Sequence, residues 1–162
     1  MGKRNLGGTL ATAALEKAAV LHALHSYHHD PRAESFGLEA AAALGAEPDR
    51  VYKTLVVDSG VGLAVGVVPV TRSLDLKSLA AALGVKRLSM ADPTLAERST
   101  GMVVGGISPL GQKRELPTVL DESMLLHSTV LVSAGRRGLD VELSPRDLAT
   151  VTRASFAPIS RA

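Results

Sequence analysis

The sequence predicts a single α/β (α+β) domain in which helices pack a mixed, curved β-sheet. Helical and strand-like stretches alternate from one end of the 162 residues to the other, which is the pattern of an α/β fold. Hydrophobic residues make up 46% of the chain and are chiefly Ala, Leu and Val, with no Trp. Such a core suits helices on a sheet, and the length corresponds to one domain, 1–162, with 1–8 as a flexible tail.

The first elements are helical and extended in turn. A helix rich in Ala and Leu is expected over 10–19, followed by a strand over 20–27. The segment His28-His29-Asp30-Pro31 reads as a turn, because the residue before a proline avoids the helical region. A second helix is predicted over 35–44, ending at Gly45, which is a favourable C-terminal cap.

The middle of the chain contains the most hydrophobic strands. Residues 51–58 and 62–70 are rich in Val and Leu, and Asp58-Ser59-Gly60 between them supplies a turn. Because both stretches are apolar almost throughout, they are expected to lie in the middle of the sheet. A helix over 74–83 with Ser73 as N-cap follows, then a short strand over 86–90.

The remaining elements surround two glycine-rich loops. Asp92-Pro93 begins a helix that extends to about residue 99, and Ser144 begins a final short helix. Extended segments are predicted at 102–104, 117–121, 128–133, 139–143 and 155–159, and the loops lie at 105–111 and 134–138.

Composition excludes several classes of protein. The chain has no cysteine, which rules out disulfides, a thiolate nucleophile and cysteine-bound zinc. The apolar stretch near the start is interrupted by Glu16 and Lys17, so neither a signal peptide nor a membrane span is expected. We therefore expect a cytoplasmic protein that binds neither DNA nor membranes.

Basic residues occur in pairs although the net charge is only +2. Three pairs are candidates for contacts with the phosphates of a ligand, with solvated surface as the alternative: Lys86 and Arg87, Lys113 and Arg114, and Arg136 and Arg137. Four of the five histidines (His22, His25, His28 and His29) lie within eight residues, but their spacing does not suit a tetrahedral metal site. We expect no metal and no cofactor.

Lys53 lies inside an apolar strand. Its ammonium either points outward or faces a polar cavity, and burial without an anionic partner would be costly. The glycine loop offers such a cavity, because Gly105 and Gly106 let backbone amides approach a phosphate or an oxyanion. A tight turn between strands is the alternative, and the loop has neither a Walker A nor a dinucleotide fingerprint.

Ser133 and Asp140 flank the second loop, Gly135-Arg136-Arg137-Gly138. They could hold the ammonium of an amino acid, whereas a hairpin turn with exposed arginines is the simpler interpretation. The sequence thus contains groups that could hold a ligand but no evident nucleophile, such as a GxSxG elbow.

Together, several short motifs resemble the YbaK family of Cys-tRNA(Pro) deacylases, which are related to the editing insertion of bacterial prolyl-tRNA synthetases. The motifs are HSYHHDP from His25, VYKTL from Val51, LDLK from Leu74, MADP from Met90, GGISPLGQK from Gly105, LPT from Leu116 and RGLD from Arg137. The resemblance spans residues 10–158 and implies a mixed α/β, barrel-like editing domain with one cleft for the aminoacylated 3′ end of tRNA.

The resemblance also implies roles for residues. Lys53 and Thr54 would position the terminal adenosine or its phosphate, and amides at Gly105 and Gly106 would polarise the ester carbonyl. The rest of the loop and the aminoacyl pocket would supply the other substrate-binding residues, which are Ile107, Ser108, Pro109, Tyr27, Ser133 and Asp140. One departure is Ala134 in place of an expected glycine, and its methyl group is expected to narrow the pocket rim slightly.

The implied reaction needs no protein nucleophile, because the thiol of the substrate cysteine attacks its own ester and leaves as a thiolactone. The expected substrate is Cys-tRNA(Pro), with Cys-tRNA(Cys) as a second, and prolyl-tRNA synthetase is a possible partner. Two alternatives stay open: an Ala-tRNA(Pro) deacylase that uses water, and a non-catalytic module that binds tRNA or the synthetase.

Overall fold

The computed structural model describes residues 7–33 and 35–162. Residues 1–6 of the predicted tail lie outside the described residues. Five helices are present in the described part: α1 (Leu10–Ala18), α2 (Phe36–Leu44), α3 (Leu76–Leu83), α4 (Pro93–Thr100) and α5 (Pro145–Thr152). No helix among the described residues is long and apolar enough to cross a membrane.

The helix boundaries follow local capping chemistry, and one of the predicted N-caps is wrong. Gly45 ends α2 in the left-handed conformation and Asp92 caps α4, as predicted. The predicted N-cap Ser73 is wrong, because the Asp75 carboxylate accepts the amide hydrogens of Lys77 and Ser78 at the start of α3. Ser73 instead belongs to a short strand.

Ten strands form three sheets within the described residues. The strands are β1 (His22–Ser26), β2 (Tyr52–Asp58), β3 (Leu63–Pro69), β4 (Ser73–Leu74), β5 (Ser89–Met90), β6 (Thr118–Asp121), β7 (Val130–Arg136), β8 (Leu139–Leu143), β9 (Ser155–Ala157) and β10 (Ser160–Arg161). The largest sheet has the order β5-β2-β3-β6-β9, the second has the order β1-β8-β7, and β10 pairs with β4. Short 3-10 helices at Pro48–Arg50 and Glu122–Leu126 complete the fold.

The five-stranded sheet confirms the predicted mid-sheet strands and the mixed α/β class. β2 and β3 pair antiparallel over their whole length, whereas β3 pairs with β6, and β6 with β9, in parallel. A single parallel bridge, Val51 to Leu131, joins this sheet to the three-stranded one. Within the described residues the sheets meet at this bridge but do not close into a barrel.

The main hydrophobic core fills the space between the sheets and their helices. It contains Leu15 from α1, Leu110 from the glycine-rich loop, Leu120 from β6 and Leu139 from β8, all fully buried. The predicted loop over 134–138 is shorter than expected, because β7 continues to Arg136 through an irregular register. The two glycine-rich segments are adjacent, because the backbone of Gly106 lies against that of Arg136 and Arg137.

Candidate functional site

A pocket of about 490 Å³ lies where the two larger sheets diverge. Its wall includes residues from β2, β7, β8, α2, α4 and the loop after α4. The lining residues are Tyr27, Ser35, Phe36, Gly37, Ala40, Val51 to Val56, Met90, Ala91, Pro93, Ala96, Val104, Gly105, Ile107, Ser133 and Asp140. A pocket of this size accommodates an aminoacyl group and a nucleoside.

Asp140 is the buried charge of the pocket. The register of the three-stranded sheet places it between His25 of β1 and Ser133 of β7, and only 5% of its surface is exposed. Burial raises the pKa of its carboxyl to about 6, and the neighbouring His25 partly opposes this shift. Among the described residues no side chain forms a salt bridge with it. Such a carboxylate is suited to a cationic ligand.

Tyr27 follows β1 and faces the same end of the pocket. Its backbone amide donates to the carbonyl of Gly138 at 2.9 Å, which fixes it beside the β7–β8 turn. Burial, and then the charge of Asp140, raise the pKa of its hydroxyl to about 12. The hydroxyl is therefore protonated at neutral pH and can donate a hydrogen bond to a ligand.

Lys53 supplies the opposite charge. Its side chain is half-buried in the pocket wall, and desolvation lowers the pKa of its ammonium. No carboxylate of the described chain lies within ion-pair distance of it. The pocket thus holds an anionic and a cationic group that do not neutralise each other, which indicates that each has a separate partner on the ligand.

The loop after α4 forms the wall opposite β2, and Gly105 is its critical position. Gly105 adopts a φ of +88°, and a Cβ there would lie 2.9 Å from both Phe36 and Arg137. Arg137 donates from Nε to the carbonyl of Val104 at 2.8 Å and lies 5.0 Å from the centre of the Phe36 ring. These contacts hold the loop against α2 and the β7–β8 turn.

Other predicted loop residues lie behind the pocket wall. The Gly106 amide donates to the carbonyl of Val103 at 2.8 Å, and a Cβ at Gly106 would lie 2.7 Å from the backbone of β7. Ser108 is fully buried, and its hydroxyl accepts from the amide of Leu110 at 3.1 Å. Gly106, Ser108 and Pro109 do not line the pocket, whereas Gly105 and Ile107 do.

One further expectation differs from the structure. Ala134 is buried in the main core, and its carbonyl accepts from the Thr9 hydroxyl at 2.6 Å. Its methyl group therefore does not narrow the pocket rim. Arg137 donates from Nε to Val104 and lies over the Phe36 ring, and its contact with a phosphate stays a prediction.

The remaining cationic pairs and the histidines do not line the pocket. Lys86 and Arg87 lie in the segment that leads to β5, and the amides of Lys113 and Arg114 donate to carbonyls at the end of α4. His25 hydrogen-bonds to Glu142 at 3.0 Å and His29 to Glu39 at 2.7 Å. In the described part of the chain no three His, Asp or Glu side chains converge to hold a metal.

Sequence reasoning missed the apolar half of the pocket. Phe36, Met90, Pro93 and Val104 line it, and no binding role was predicted for any of them. Two signals were available: Met90 and Pro93 lie in the MADP motif, and Phe36 is an isolated aromatic at the start of an Ala-rich helix. Of the ten residues predicted to act in catalysis or substrate binding, seven line this pocket: Tyr27, Lys53, Thr54, Gly105, Ile107, Ser133 and Asp140. Their individual roles stay predictions.

Known proteins share both sequence and fold with this chain. The model of the aminoacyl-tRNA editing domain matches residues 31–151. A protein of Enterococcus faecalis, whose name describes a Cys-tRNA(Pro)/Cys-tRNA(Cys) deacylase, EbsC, is 42% identical over 121 residues, or 74% of each chain. A proline–tRNA ligase of Thermoanaerobacter is 29% identical over 93 residues, which are 56% of this chain and 16% of the ligase.

Solved structures agree with these relatives. The crystal structure of a trans-editing enzyme for prolyl-tRNA synthetase superposes with a TM-score of 0.80 and 27% identity, covering 94% of this chain and 96% of that enzyme. The match in sequence covers most of the domain and includes every residue that lines the pocket except Tyr27. The chain therefore belongs to the family of aminoacyl-tRNA editing domains and is an aminoacyl-tRNA deacylase.

Proposed function

We propose that this deacylase acts in trans, in the cytoplasm, to remove cysteine from mischarged Cys-tRNA(Pro), and that it also accepts Cys-tRNA(Cys). The name of the Enterococcus relative and the likeness to a synthetase-associated editing enzyme support this substrate class. The single observation that carries the proposal is the pocket in which Asp140, Lys53 and Gly105 meet from distant parts of the chain.

The polar end of the pocket fits the aminoacyl group. Asp140 accepts the α-ammonium of the amino acid, and the hydroxyls of Ser133 and Tyr27 lie beside it. The amides of Gly105 and Ile107, the two residues of this loop that line the pocket, stabilise the negative charge that develops on the ester oxygen. One such donor contributes about 2.7–4 kcal/mol in known enzymes. Lys53 attracts the anionic part of the nucleotide end.

The substrate supplies the nucleophile. Its thiol sulfur bonds to the carbonyl carbon, the bond from that carbon to the ribose oxygen breaks, and the ribose oxygen takes the thiol proton. The products are a cysteine thiolactone and free tRNA, and water later opens the thiolactone to cysteine. Because the thiol is tethered to its target, good orientation contributes about 7–11 kcal/mol.

The composition of the pocket agrees with this chemistry. The chain has no cysteine, and the Tyr27 hydroxyl, with its pKa of about 12, stays protonated. The Ser133 hydroxyl accepts from the amide of Gly135 at 3.2 Å, an ordinary structural contact. A thiol with a pKa of about 8.5 is a better nucleophile at neutral pH than either hydroxyl.

Selection of tRNA(Pro) is proposed to need prolyl-tRNA synthetase, since a pocket of this size contacts chiefly the 3′ end. Adding the synthetase should then increase the preference for tRNA(Pro) over tRNA(Cys), and an unchanged ratio would argue against the partner.

The proposal is tested by deacylation assays on Cys-tRNA(Pro), Ala-tRNA(Pro) and Pro-tRNA(Pro). Rapid release of cysteine, with alanine and proline retained, is expected. Preferential release of alanine would identify a water-dependent enzyme instead. Binding of tRNA without any deacylation would identify a binding module.

A further inference from the structure

Arg137 contacts the loop after α4 from outside the pocket. It lies in the turn between β7 and β8, and its Nε donates to the carbonyl of Val104 at 2.8 Å. Val104 and Gly105 line the pocket, whereas Arg137 does not. Among the described residues no carboxylate forms a salt bridge with its guanidinium. The carbonyl of the pocket wall is therefore its principal polar contact within the protein.

The carbonyl that Arg137 binds belongs to the same peptide unit as the Gly105 amide. This unit is planar and trans, since the described residues contain no cis peptide bond. In a trans unit the C=O and the N–H point in opposite directions, so the Gly105 amide hydrogen points away from Arg137. Within the described part of the chain this amide donates no hydrogen bond, whereas that of Gly106 donates to the Val103 carbonyl. The Gly105 amide is thus available to a ligand.

The guanidinium also makes this amide a stronger donor. A cationic donor on a carbonyl polarises the peptide, and each hydrogen bond in a chain strengthens the next. The amide of Val104 itself donates to the Glu97 carboxylate of α4 at 2.8 Å. Both polar backbone groups of Val104 are therefore held, which restrains rotation of the peptide that follows it.

A stack of side chains supports the guanidinium. Its central carbon lies 5.0 Å from the centre of the Phe36 ring, and the His29 ring lies 5.6 Å from that of Phe36. The Glu39 carboxylate hydrogen-bonds to Nδ1 of His29 at 2.7 Å and accepts from the Asp30 amide at 2.6 Å. The side chains of His29 and Glu39 are only 19% and 12% exposed. Arg137 therefore rests on a largely buried support that joins α2 to the segment after β1.

We propose that Arg137 is a positioning residue for deacylation, an inference that rests on the deacylase function proposed above. Its guanidinium orients and polarises the peptide between Val104 and Gly105, so that the Gly105 amide meets the charge developing on the ester oxygen. Because Asp140 and Lys53 hold the substrate in the ground state, losing Arg137 affects kcat more than KM. A Cβ at Gly105 would lie 2.9 Å from Nε of Arg137, so a side chain there would displace the guanidinium.

Kinetics on cysteine ethyl ester, which has no phosphate, separate positioning from a phosphate contact. Arg137→Ala should lower kcat about tenfold and leave KM within about twofold. Arg137→Lys keeps the charge but not the planar guanidinium, so kcat should fall by a similar factor. The control Arg146→Lys, exposed on α5 and outside the pocket, should keep full activity. Full kcat of either Arg137 variant on the ester would overturn the positioning role, and a raised KM for Cys-tRNA(Pro) alone would identify a phosphate contact.

The amide resonances of Gly105 test the same peptide without turnover. Loss of the Nε hydrogen bond to the preceding carbonyl should shift them in both Arg137 variants, while the melting temperature stays close to that of the unchanged protein. The control Arg146→Lys should shift neither. Unchanged Gly105 resonances would overturn the positioning role. A protein that cleaves no cysteinyl ester would refute the proposed function, whereas these resonances would still decide whether Arg137 sets the loop.

Discussion

At the scale of single residues, the pocket depends on two charges that have no partner in the described chain. Lys53 lies in the wall formed by β2 and Asp140 in the three-stranded sheet. Keeping both charges desolvated lowers the free energy of unfolding of the unliganded protein. A ligand that pairs with each charge offsets this loss.

The first prediction concerns the cation. Lys53→Ala should lower kcat/KM about 100-fold, or about 2.7 kcal/mol, because a charged hydrogen bond to the substrate is lost. Deacylation kinetics measure the loss and circular dichroism verifies the fold. Lys77→Ala on the exposed face of α3 is the matched control and should keep full activity. Equal activity of both variants would show that the Lys53 ammonium does not contribute to substrate binding or catalysis.

The second prediction concerns the anion. Burial raises the pKa of Asp140 from 3.8 to about 6, so above pH 6 its ionised form destabilises the unliganded fold. Asp140→Asn should therefore raise the free energy of unfolding at pH 7.5, by about 1–3 kcal/mol, while deacylation is abolished. Denaturant unfolding should show that the gain shrinks as the pH falls from 6 and disappears below 3.8. A loss of stability at pH 7.5 would contradict the assignment, and Asp147→Asn on α5 serves as the control.

At the scale of elements, capping and hydrophobic patterning predict most helices and strands, because those signals are local. The wrong N-cap predicted for α3 shows where local signals are insufficient. Ser73 and Asp75 are both good N-caps, and the choice depends on β10 pairing with Ser73 and Leu74 from the far end of the chain. Short strands such as β4 depend on distant partners and have no local signal of their own.

The third prediction concerns the loop after α4. Gly105 and Gly84 both have a positive φ, but only at Gly105 would a Cβ contact other side chains. Each change to alanine should cost about 1–3 kcal/mol of stability through backbone strain. Only Gly105→Ala should also lower kcat/KM, by about 100-fold, because it displaces the loop from Phe36. Melting temperatures and kinetics of the two variants measure these effects, and equal activities would show that the loop is merely a turn.

At the scale of the whole molecule, the site exists because two sheets touch at one bridge and then separate. The sequence identified the polar residues, since most of them lie in motifs of a known family. It did not reveal the apolar end, although Met90 and Pro93 also lie in a motif, because they become neighbours of β2 only through the pairing of β5. Non-local strand pairing is the information that local patterns lack.

The fourth prediction concerns the charge of the whole surface. If paired cations contact tRNA phosphates, KM for Cys-tRNA(Pro) should rise steeply with salt, whereas KM for cysteine ethyl ester should not. Replacing both Lys86 and Arg87 with alanine should reduce the slope of log KM against log salt by about 1 to 2. Kinetics at several salt concentrations measure the slopes. Equal slopes for the two substrates would show that the paired cations are solvated surface residues that do not contact tRNA.

The central claim is that the protein shapes the substrate and the cysteine thiol performs the attack. Single-turnover deacylation of Cys-tRNA(Pro) and its S-methylated form tests this most directly, because methylation blocks the sulfur and leaves the ester and the ammonium unchanged. The account predicts rapid loss of the first substrate, with a thiolactone trapped on the way, and persistence of the second. Comparable rates for the two would show that water or a protein group performs the attack.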